Sequence, residues 1–290
     1  MSIIYEPQGM ALEYAELAAN LYRGCSHGCV FCYAPSVLRK SGTTLEAFHN
    51  EVKPRPNIIR EFARDCRKLA AAGNAKRVLL SFTTDPYQPA EREHRITRQA
   101  LQILNEHNTP WQVCTKNGLQ AMEDDIDLFT QGAEGWLGQT IVFTRDADRQ
   151  IWEPGASTIG DRLKALEMAR AASIKTWVSI EPVIDPAQAL ELIERAWPLV
   201  DMWKIGKINH LHLLDPEFRA QVEGIDWQGF VNELTPVLRR RPGTEYLIKD
   251  SLAEYCPPEL PRNALRSEQT QQATRVRECA RRWPRNSTLF

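Results

Sequence analysis

Short apolar runs alternate with amphipathic stretches along most of the chain. Continuous apolar runs such as 111–115 are typical of strands that are buried on both faces. Stretches with apolar residues three or four positions apart, such as 57–72, predict helices. The predicted strands are 21–23, 77–82, 111–115, 139–144, 175–180, 200–205 and 245–248, and the predicted helices are 57–72, 96–106, 119–129, 158–172, 186–196 and 227–239.

This alternation predicts an α/β fold built on a parallel sheet, because a helix carries the chain back between two parallel strands. About six or seven strand–helix units are present, which is fewer than the eight of a closed barrel. We therefore expect a partial (β/α)6-type TIM barrel over residues 1–250. A helical, basic C-terminal extension is expected over residues 251–290.

The composition is that of an ordinary globular protein, with 43% hydrophobic and 25% charged residues among 290. It excludes the disordered, collagen-like and disulfide-scaffold classes. No run approaches the ~18 to 20 apolar residues that a membrane helix needs, and the start of the chain lacks the basic and apolar regions of a secretory signal. We expect a cytoplasmic protein without a membrane partner.

The net charge of −1 conceals a basic end. Seven arginines and two glutamates lie within residues 262–285, a net charge of +5, and three further arginines occupy 239–241. Such a segment is typical of a solvated amphipathic helix packed on the barrel. The alternative is a surface that binds the phosphates of nucleic acid.

Three of the seven cysteines are clustered. Cys25, Cys29 and Cys32 form a C-x3-C-x2-C motif directly after the predicted first strand. An odd number of cysteines in a chain without a secretory signal favours metal or redox chemistry over disulfides. In a barrel, this loop opens on the carboxyl ends of the strands, where active sites are built. Three thiolates hold three corners of a cubane iron–sulfur cluster and leave one iron open to a small molecule.

A structural zinc site is the main alternative for this motif. Zinc takes four tetrahedral ligands, and His27 is the available fourth ligand beside the three cysteines. Four ligands within eight residues leave little freedom for tetrahedral wrapping, and no second C-x2-C pair follows. A set of inert core thiols is a further alternative.

The cysteine motif resembles the signature of radical S-adenosylmethionine (SAM) enzymes, in which it follows the first strand of a partial βα barrel. The longer string YRGCSHGCVFCYA at 22–34 is similar to the branch related to spore photoproduct lyase. The resemblance covers about residues 20–210. Shorter segments that support this branch are TDPYQP at 84–89, TK at 115–116, EPG at 153–155 and SIEP at 179–182.

This resemblance implies an enzyme with a [4Fe–4S] cluster on Cys25, Cys29 and Cys32 and SAM on the open iron. A low-potential donor, flavodoxin or ferredoxin, then supplies one electron, SAM is cleaved, and the 5′-deoxyadenosyl radical takes a hydrogen atom from a substrate. The branch and the basic end favour nucleic acid as the substrate class. A non-catalytic iron–sulfur or zinc protein that binds nucleic acid or a partner is the alternative.

The resemblance also implies cofactor-binding residues. Phe31, within the cysteine motif, is expected near the adenine. At the ends of the predicted strands, Thr84 is expected at the SAM amino group with Asp85 beside it, Lys116 at the SAM carboxylate and Thr144 near the ribose or the sulfonium. Plainer interpretations exist, since Thr84 and Asp85 are typical of a capped turn and Lys116 of a solvated loop.

Candidate catalytic residues follow from where the chain departs from the lyases. Spore photoproduct lyases carry Cys-Thr-Ser-Asp after the second strand, and that cysteine returns a hydrogen atom to the product. Phe82 stands at this position here, so the lyase route to thymine-dimer reversal is not expected. Of the two tyrosines that relay the radical, Tyr33 is present and Phe31 replaces the other. Cys114 is the best replacement donor, because it lies on the same strand face as Lys116.

Glu181 is the third candidate catalytic residue. It lies at the end of a very apolar strand, which favours a polar role in supporting the cofactor or contacting the substrate, and Pro182 constrains the turn after it. Other polar residues near predicted strand ends are expected to face the same mouth. These are Arg145, Lys204 and Asn209.

Overall fold

The computed structural model describes residues 2–38, 42–241, 244–258, 260 and 263–264. Its strands are β1 (Leu17–Ala19), β2 (Tyr22–Arg23), β3 (Lys53–Pro54), β4 (Val78–Leu80), β5 (Trp111–Thr115), β6 (Gly135–Thr140), β7 (Lys175–Val183), β8 (Met202–Lys207), β9 (Glu245–Ile248) and β10 (Asn263–Ala264). Its α-helices are α1 (Ala34–Leu38), α2 (Leu45–Asn50), α3 (Ile58–Ala71), α4 (Ala90–His94), α5 (Ile96–Glu106), α6 (Gly118–Thr130), α7 (Asp146–Trp152), α8 (Ile159–Ala171), α9 (Pro186–Ala196), α10 (Pro216–Glu223) and α11 (Trp227–Arg239).

Seven of the strands form one parallel sheet in the order β1-β4-β5-β6-β7-β8-β9, and β10 adds to β9 in the antiparallel direction. Helices connect the successive strands from β4 to β9. In the part of the chain that the structure describes, no ladder joins β1 to β10, so the sheet stays open on one side. The predicted α/β fold, a partial TIM barrel, is confirmed.

The periodicity predicted many elements at their observed positions. The bounds of α5, β5, α9, α11 and β9 are those expected from the pattern. Helix α3 ends where Gly73 takes a φ of 61° and its amide N–H donates to the carbonyl of Ala70 at 3.0 Å. A glycine accepts this left-handed conformation without a Cβ clash, which is why it terminates the helix.

The strand predicted at 21–23 is present as β2, but it is not the first strand of the barrel. The first parallel strand is β1, whereas β2 pairs with β3 in a separate two-stranded antiparallel sheet. Asn20 and Leu21 separate β1 from β2, and Oδ1 of Asn20 accepts from the backbone N–H groups of Phe82 and Thr83 at 2.9 and 2.8 Å. The cysteine motif therefore directly follows β2, between the two strands of the small antiparallel sheet, rather than the first barrel strand.

The predicted strand at 139–144 is also wrong, because β6 begins and ends four residues earlier. Its two glycines, Gly135 and Gly138, are residues that rarely occur in strands, so the sequence pattern did not indicate a strand here. Both glycines are nevertheless required by the packing of neighbouring side chains. A Cβ on Gly135 would overlap the ring of Trp111, and one on Gly138 would overlap the ring of Trp177. The apolar run 141–143 is buried in a loop beyond the strand.

Inside the barrel, a small apolar cluster lies beneath the carboxyl ends of the strands. Ala18, Leu79 and Trp177 form it, and Tyr14 and Phe82 pack against it. Among the described residues, no helix has the length and apolar character needed to span a membrane. The basic segment 265–285 lies outside the described residues.

Candidate functional site

A cavity of about 400 Å³ opens among the loops at the carboxyl ends of the strands. It is lined by the cysteine loop and by residues that follow or end β4, β5, β7, β8 and β9. The structure thus brings together most of the residues singled out in the sequence. Those that line the cavity are Cys25, Cys29, Cys32, Phe31, Tyr33, Thr84, Asp85, Cys114, Lys116, Glu181, Pro182 and Asn209.

The cysteine loop begins at a tight approach of two backbones. Gly24 has a φ of 80°, and a Cβ there would lie 2.5 Å from the carbonyl oxygen of Phe48. That carbonyl accepts from the backbone N–H of Cys25 at 2.9 Å. The side chain of Gln88 accepts from the N–H of Ser26 and donates to the carbonyl of Gly24. These contacts set the path of the loop before its first cysteine.

The segment after α7 runs along the cysteine loop and contacts it twice. The N–H of Val30 donates to the carbonyl of Trp152 at 2.9 Å, and the N–H of Gly155 donates to the carbonyl of His27 at 2.8 Å. A Cβ on Gly155 would lie 2.5 Å from the carbonyl oxygen of Ser26. The EPG motif is therefore a backbone support for the cysteine loop.

The three cysteines suit a cluster that takes thiolate ligands. Burial raises the pKa of the thiols of Cys29 and Cys32, and raises that of Cys25 to about 12. Iron offsets this penalty, because a positive centre stabilises coordinated thiolates. Within the described ranges, no group of three or more His, Cys, Asp or Glu side chains is arranged to hold a single metal ion.

His27 is engaged by another partner rather than by the cysteines. Its Nδ1 lies 3.4 Å from Oδ2 of Asp85, and burial lowers the pKa of its ring. Asp85 also accepts from Oγ1 of Thr115 and from the N–H of Lys116, both at 2.7 Å, and from the N–H of Tyr87 at 2.8 Å. Asp85 thus links the cysteine loop to the end of β5. Its hydrogen bond from the N–H of Tyr87 also caps the turn after β4, which was the alternative role predicted for Asp85.

Lys116 places a half-buried cation in the cavity wall. Its Nζ lies 3.8 Å from Oε1 of Glu153 and 5.4 Å from the centre of the Phe31 ring. Burial opposes the charge of Lys116, but Cys29 and Glu153 outweigh that effect and raise its pKa. The other carboxylate oxygen of Glu153 pairs with Nη1 of Arg162 at 2.7 Å. Lys116 is therefore held in place and is not a solvated loop lysine.

A second group of polar residues lies in the same cavity. Its members are Tyr14, Ser179, Glu181, Asn209 and Lys249, of which only Glu181 and Asn209 were predicted from the sequence. Oη of Tyr14 donates to Oε2 of Glu181 at 2.5 Å and lies 2.6 Å from Oγ of Ser179. Nζ of Lys249 lies 3.6 Å from the same Oε2, and Nδ2 of Asn209 donates to Oε1 at 3.3 Å. Burial and the charge of Glu181 both raise the pKa of Tyr14.

Two buried lysines hold the turn that carries Tyr14. Lys249 donates to the carbonyl of Met10 at 3.0 Å, and Lys204 donates to the carbonyl of Tyr14 at 2.9 Å. The Lys204 ammonium also lies over the rings of Tyr14 and Trp177, and burial lowers its pKa to about 7. No local pattern marks this segment, because the side chains that contact Tyr14, including Phe82, Gln112, Glu181 and Lys204, all lie far away in the chain.

The two remaining catalytic candidates differ in depth. Sγ of Cys114 lies inside the barrel, 3.5 Å from Oγ1 of Thr140, and burial raises the pKa of its thiol. Tyr33 stands at the mouth, where its Oη donates to the carbonyl of Phe82 at 3.4 Å and its ring centre lies 6.2 Å from that of His210.

Thr144 does not stand at a strand end, as the sequence had predicted. Strand β6 ends at Thr140, which lines the cavity in its place. Oγ1 of Thr144 donates to Oε2 of Glu191 at 2.8 Å, on the outer side of the barrel. Arg145 is likewise outside the cavity, where it pairs with Asp148. Thr144 and Arg145 lie outside the cavity because β6 ends four residues earlier than predicted.

Several curated proteins share part of this sequence. An uncharacterized protein of Mycobacterium tuberculosis is 27% identical over 182 residues, which cover 61% of this chain and 52% of the relative. An uncharacterized protein of Methanocaldococcus jannaschii is 24% identical over 184 residues, which cover 62% of this chain and 64% of the relative. The chain matches only about half the length of the mycobacterial protein.

Two groups of solved structures share the fold. Spore photoproduct lyase complexed with dinucleoside spore photoproduct matches with a TM-score of 0.58 at 15% identity, over 84% of this chain and 78% of the lyase. SuiB of Streptococcus suis bound to SAM matches with a TM-score of 0.59 at 11% identity, over 84% of this chain and 52% of SuiB. A second SuiB structure holds the precursor peptide SuiA and matches with a TM-score of 0.55 at 10% identity, over 83% of this chain and 51% of SuiB.

The match to a sequence family covers the barrel strands from the end of β1 through α9. The family is described as the radical SAM superfamily, and its pattern matches residues 19–196. That range contains the three clustered cysteines, Lys116 and Glu181. From this match, together with the shared fold, we conclude that the chain belongs to the radical SAM superfamily.

Proposed function

We propose that this protein is an enzyme that holds a [4Fe–4S] cluster on Cys25, Cys29 and Cys32 and binds SAM beside it. The observation that carries the proposal is that the three thiols share one cavity with the half-buried Lys116 and with polar residues from several strand ends. When bound, the cluster and SAM supply the 5′-deoxyadenosyl radical that removes a hydrogen atom from a substrate. The proposal includes a low-potential electron donor, flavodoxin or ferredoxin, and a cytoplasmic setting.

The wall beside the cysteines offers the groups that SAM requires. Lys116 presents a fixed positive charge to a carboxylate, and Thr84 presents a hydroxyl and a carbonyl to an amino group. Phe31 lies beside Lys116 and offers a ring face to the adenine. Asp85 supports this wall, because its carboxylate accepts hydrogen bonds from Thr115 and from the Lys116 backbone.

We place the substrate beside another part of the cavity lining. Phe82 and Leu79 contribute apolar surface there, while the Tyr14–Glu181 pair offers a polar contact. Cys114 and Tyr33 are the candidate hydrogen donors for a substrate radical, since each carries a transferable hydrogen and lines the cavity. The barrel over residues 1–250 is proposed as the catalytic domain, with residues 251–290 as its extension.

Reductive cleavage of SAM tests the proposal directly. The anaerobically reconstituted protein, supplied with dithionite and SAM, is expected to release 5′-deoxyadenosine, measured by liquid chromatography. Dithionite alone or SAM alone serves as the control. An iron-loaded protein that never cleaves SAM would contradict the enzyme, and a colourless protein with one zinc would contradict the cluster as well.

A specific feature of the cavity mouth favours nucleic acid as the substrate class. Tyr33 and His210 place their rings 6.2 Å apart, and the ring of His212 lies 5.9 Å from that of His210. All three side chains are exposed. Exposed aromatic rings beside a site are a platform on which unpaired bases stack. The basic end of the chain would add contacts to phosphate.

Binding of a single-stranded oligonucleotide at several salt concentrations separates these two contributions. Tyr33→Ala is expected to weaken binding about tenfold at every salt concentration, since stacking contributes about 1–3 kcal/mol per base. Truncation after Pro261 is expected to flatten the dependence of affinity on salt. Leu45→Ala, an exposed apolar change on α2, is the control. Equal affinities for the Tyr33 and Leu45 variants would remove the stacking platform from the proposal.

A further inference from the structure

Glu153 is a fully buried carboxylate that lies along the cysteine loop. Its two flanking contacts bracket the middle cysteine, because the carbonyl of Trp152 accepts from Val30 and the N–H of Gly155 donates to His27. Its Oε1 lies 3.8 Å from Nζ of Lys116, which lines the same cavity as the three cysteines. The backbone contacts and this ion pair place Glu153 beside Lys116 and the cysteine loop, next to the site proposed for the cluster.

Glu153 forms ion pairs with two cations, Arg162 and Lys116, but only Arg162 donates a hydrogen bond to it. Oε2 pairs with Nη1 of Arg162, which is itself fully buried. Oε1 is buried and accepts no hydrogen bond from the residues that the structure describes. The cation nearest to Oε1 among the ion pairs of this group is Lys116, whose Nζ lies 3.8 Å away, beyond hydrogen-bonding distance. Glu153 therefore places a carboxylate oxygen that accepts no hydrogen bond from the described residues against the lysine that lines the cavity.

Burial makes such a fixed charge effective. In a low-dielectric interior, charges interact several times more strongly than in water, and salt screens them poorly. Charge and hydrogen bonding around an iron–sulfur cluster are the properties through which a protein sets its reduction potential. A negative charge opposes the addition of an electron, and a positive charge favours it.

We propose that Glu153 is a positioning residue that lowers the reduction potential of the cluster, against the opposite effect of Lys116. The inference rests on the proposed function, since it concerns the cluster held by the three cysteines. The step involved is the transfer of one electron from the donor to the cluster, in which no covalent bond forms or breaks. A lower potential makes the reduced cluster a stronger one-electron donor toward a bound molecule.

Two substitutions in this group are expected to move the potential in opposite directions. Glu153→Gln removes the negative charge at nearly constant shape, so the midpoint potential should rise. Lys116→Gln removes the positive charge, so the midpoint should fall. The expected shift is about tenfold in the ratio of reduced to oxidised cluster at a fixed potential, which is about 59 mV for one electron. Glu153→Asp keeps the charge and should leave the potential close to that of the unchanged protein.

The measurement is a redox titration of the anaerobically reconstituted full chain without SAM, followed by the electron paramagnetic resonance signal of the reduced cluster. Glu123→Gln, which removes an exposed carboxylate on α6, is the matched control and should leave the potential unchanged. Iron content and thermal unfolding of each variant report structural damage. Damage alone would shift both Gln variants of the buried group in the same direction.

The outcomes separate this inference from the function on which it rests. Opposite shifts, with Glu153→Asp near the starting value, support it. A reducible cluster whose potential is the same in Glu153→Gln as in the unchanged protein overturns the inference and leaves the proposed function intact. Shifts of the same sign in both Gln variants also overturn it. Failure of the unchanged chain to bind a reducible cluster overturns both. Should Glu153→Gln not fold, the Lys116→Gln and Glu153→Asp values decide, and an unchanged Lys116→Gln potential counts against the inference.

Discussion

Replacing Cys29 with alanine is expected to abolish both cluster binding and the release of 5′-deoxyadenosine. Cys29 is the middle one of the three proposed ligands along the loop, and it lines the cavity together with Cys25 and Cys32. Two remaining thiolates leave two irons without protein ligands, so the cluster should not persist. The measurements are iron and sulfide content, the visible absorbance of the reconstituted protein, and chromatography of the SAM products. Each signal should fall to background.

The matched control is Cys66→Ala. Cys66 is buried on α3 and packs among apolar residues away from the cavity. Removing its sulfur is expected to cost about 1 kcal/mol of stability through the small void that it leaves, with iron content and SAM cleavage retained. Full iron loading and cleavage in Cys29→Ala would contradict the assignment of the cluster ligands. Loss of both in Cys66→Ala would show that the assay reports folding rather than ligation.

Replacing Gly155 with alanine is expected to give the second largest effect. The added Cβ would lie 2.5 Å from the carbonyl oxygen of Ser26 and 2.8 Å from Cα of His27, so it meets backbone that has no rotamer to change. Overpacking of this kind costs about 1–3 kcal/mol. Because the displaced backbone belongs to the cysteine loop, iron content should fall together with stability. Urea unfolding of the iron-free protein and iron analysis after reconstitution measure the two effects.

Gly224→Ala provides the same change without the contact. Gly224 follows α10 with a φ of −87°, and no atom would lie within 4 Å of its added Cβ. Stability is expected to stay within about 0.5 kcal/mol, as for most surface substitutions. Equal unfolding midpoints and equal iron contents in the two alanine variants would show that the EPG segment does not support the cysteine loop.

Local sequence patterns correctly predicted the helices and strands whose positions depend only on residues nearby in the chain. Helices α5, α9 and α11 were predicted at their observed bounds, because the apolar positions of each repeat at the helical period. Strand β6 was misplaced, because its two glycines are required by the rings of Trp111 and Trp177 on neighbouring strands. A glycine that makes room for a distant side chain has no local sequence signature. Because the strand was predicted four residues too late, Thr144 was predicted to stand at the strand end that Thr140 occupies in the structure.

The candidate site likewise contains residues that the sequence identified and residues that only the structure identified. Its cysteine motif was recognisable from the sequence, because the spacing of three ligands on one short loop is a local property. Tyr14 and Lys249 were not recognised, although they lie with Glu181 in one group. They are more than 200 residues apart, and their neighbouring residues do not distinguish them from an ordinary surface tyrosine and lysine.

The sequence by itself determined the fold class, the family and the three cysteines, since each depends on residue type at fixed spacing along the chain. The tertiary structure decided which polar residues share a cavity, that Asp85 links two loops, and that the buried Glu153 pairs with Lys116 and Arg162. Burial and long-range contact arise only when distant segments pack together. The charges that act on a cluster at this site are therefore a property of the folded barrel, not of any one motif.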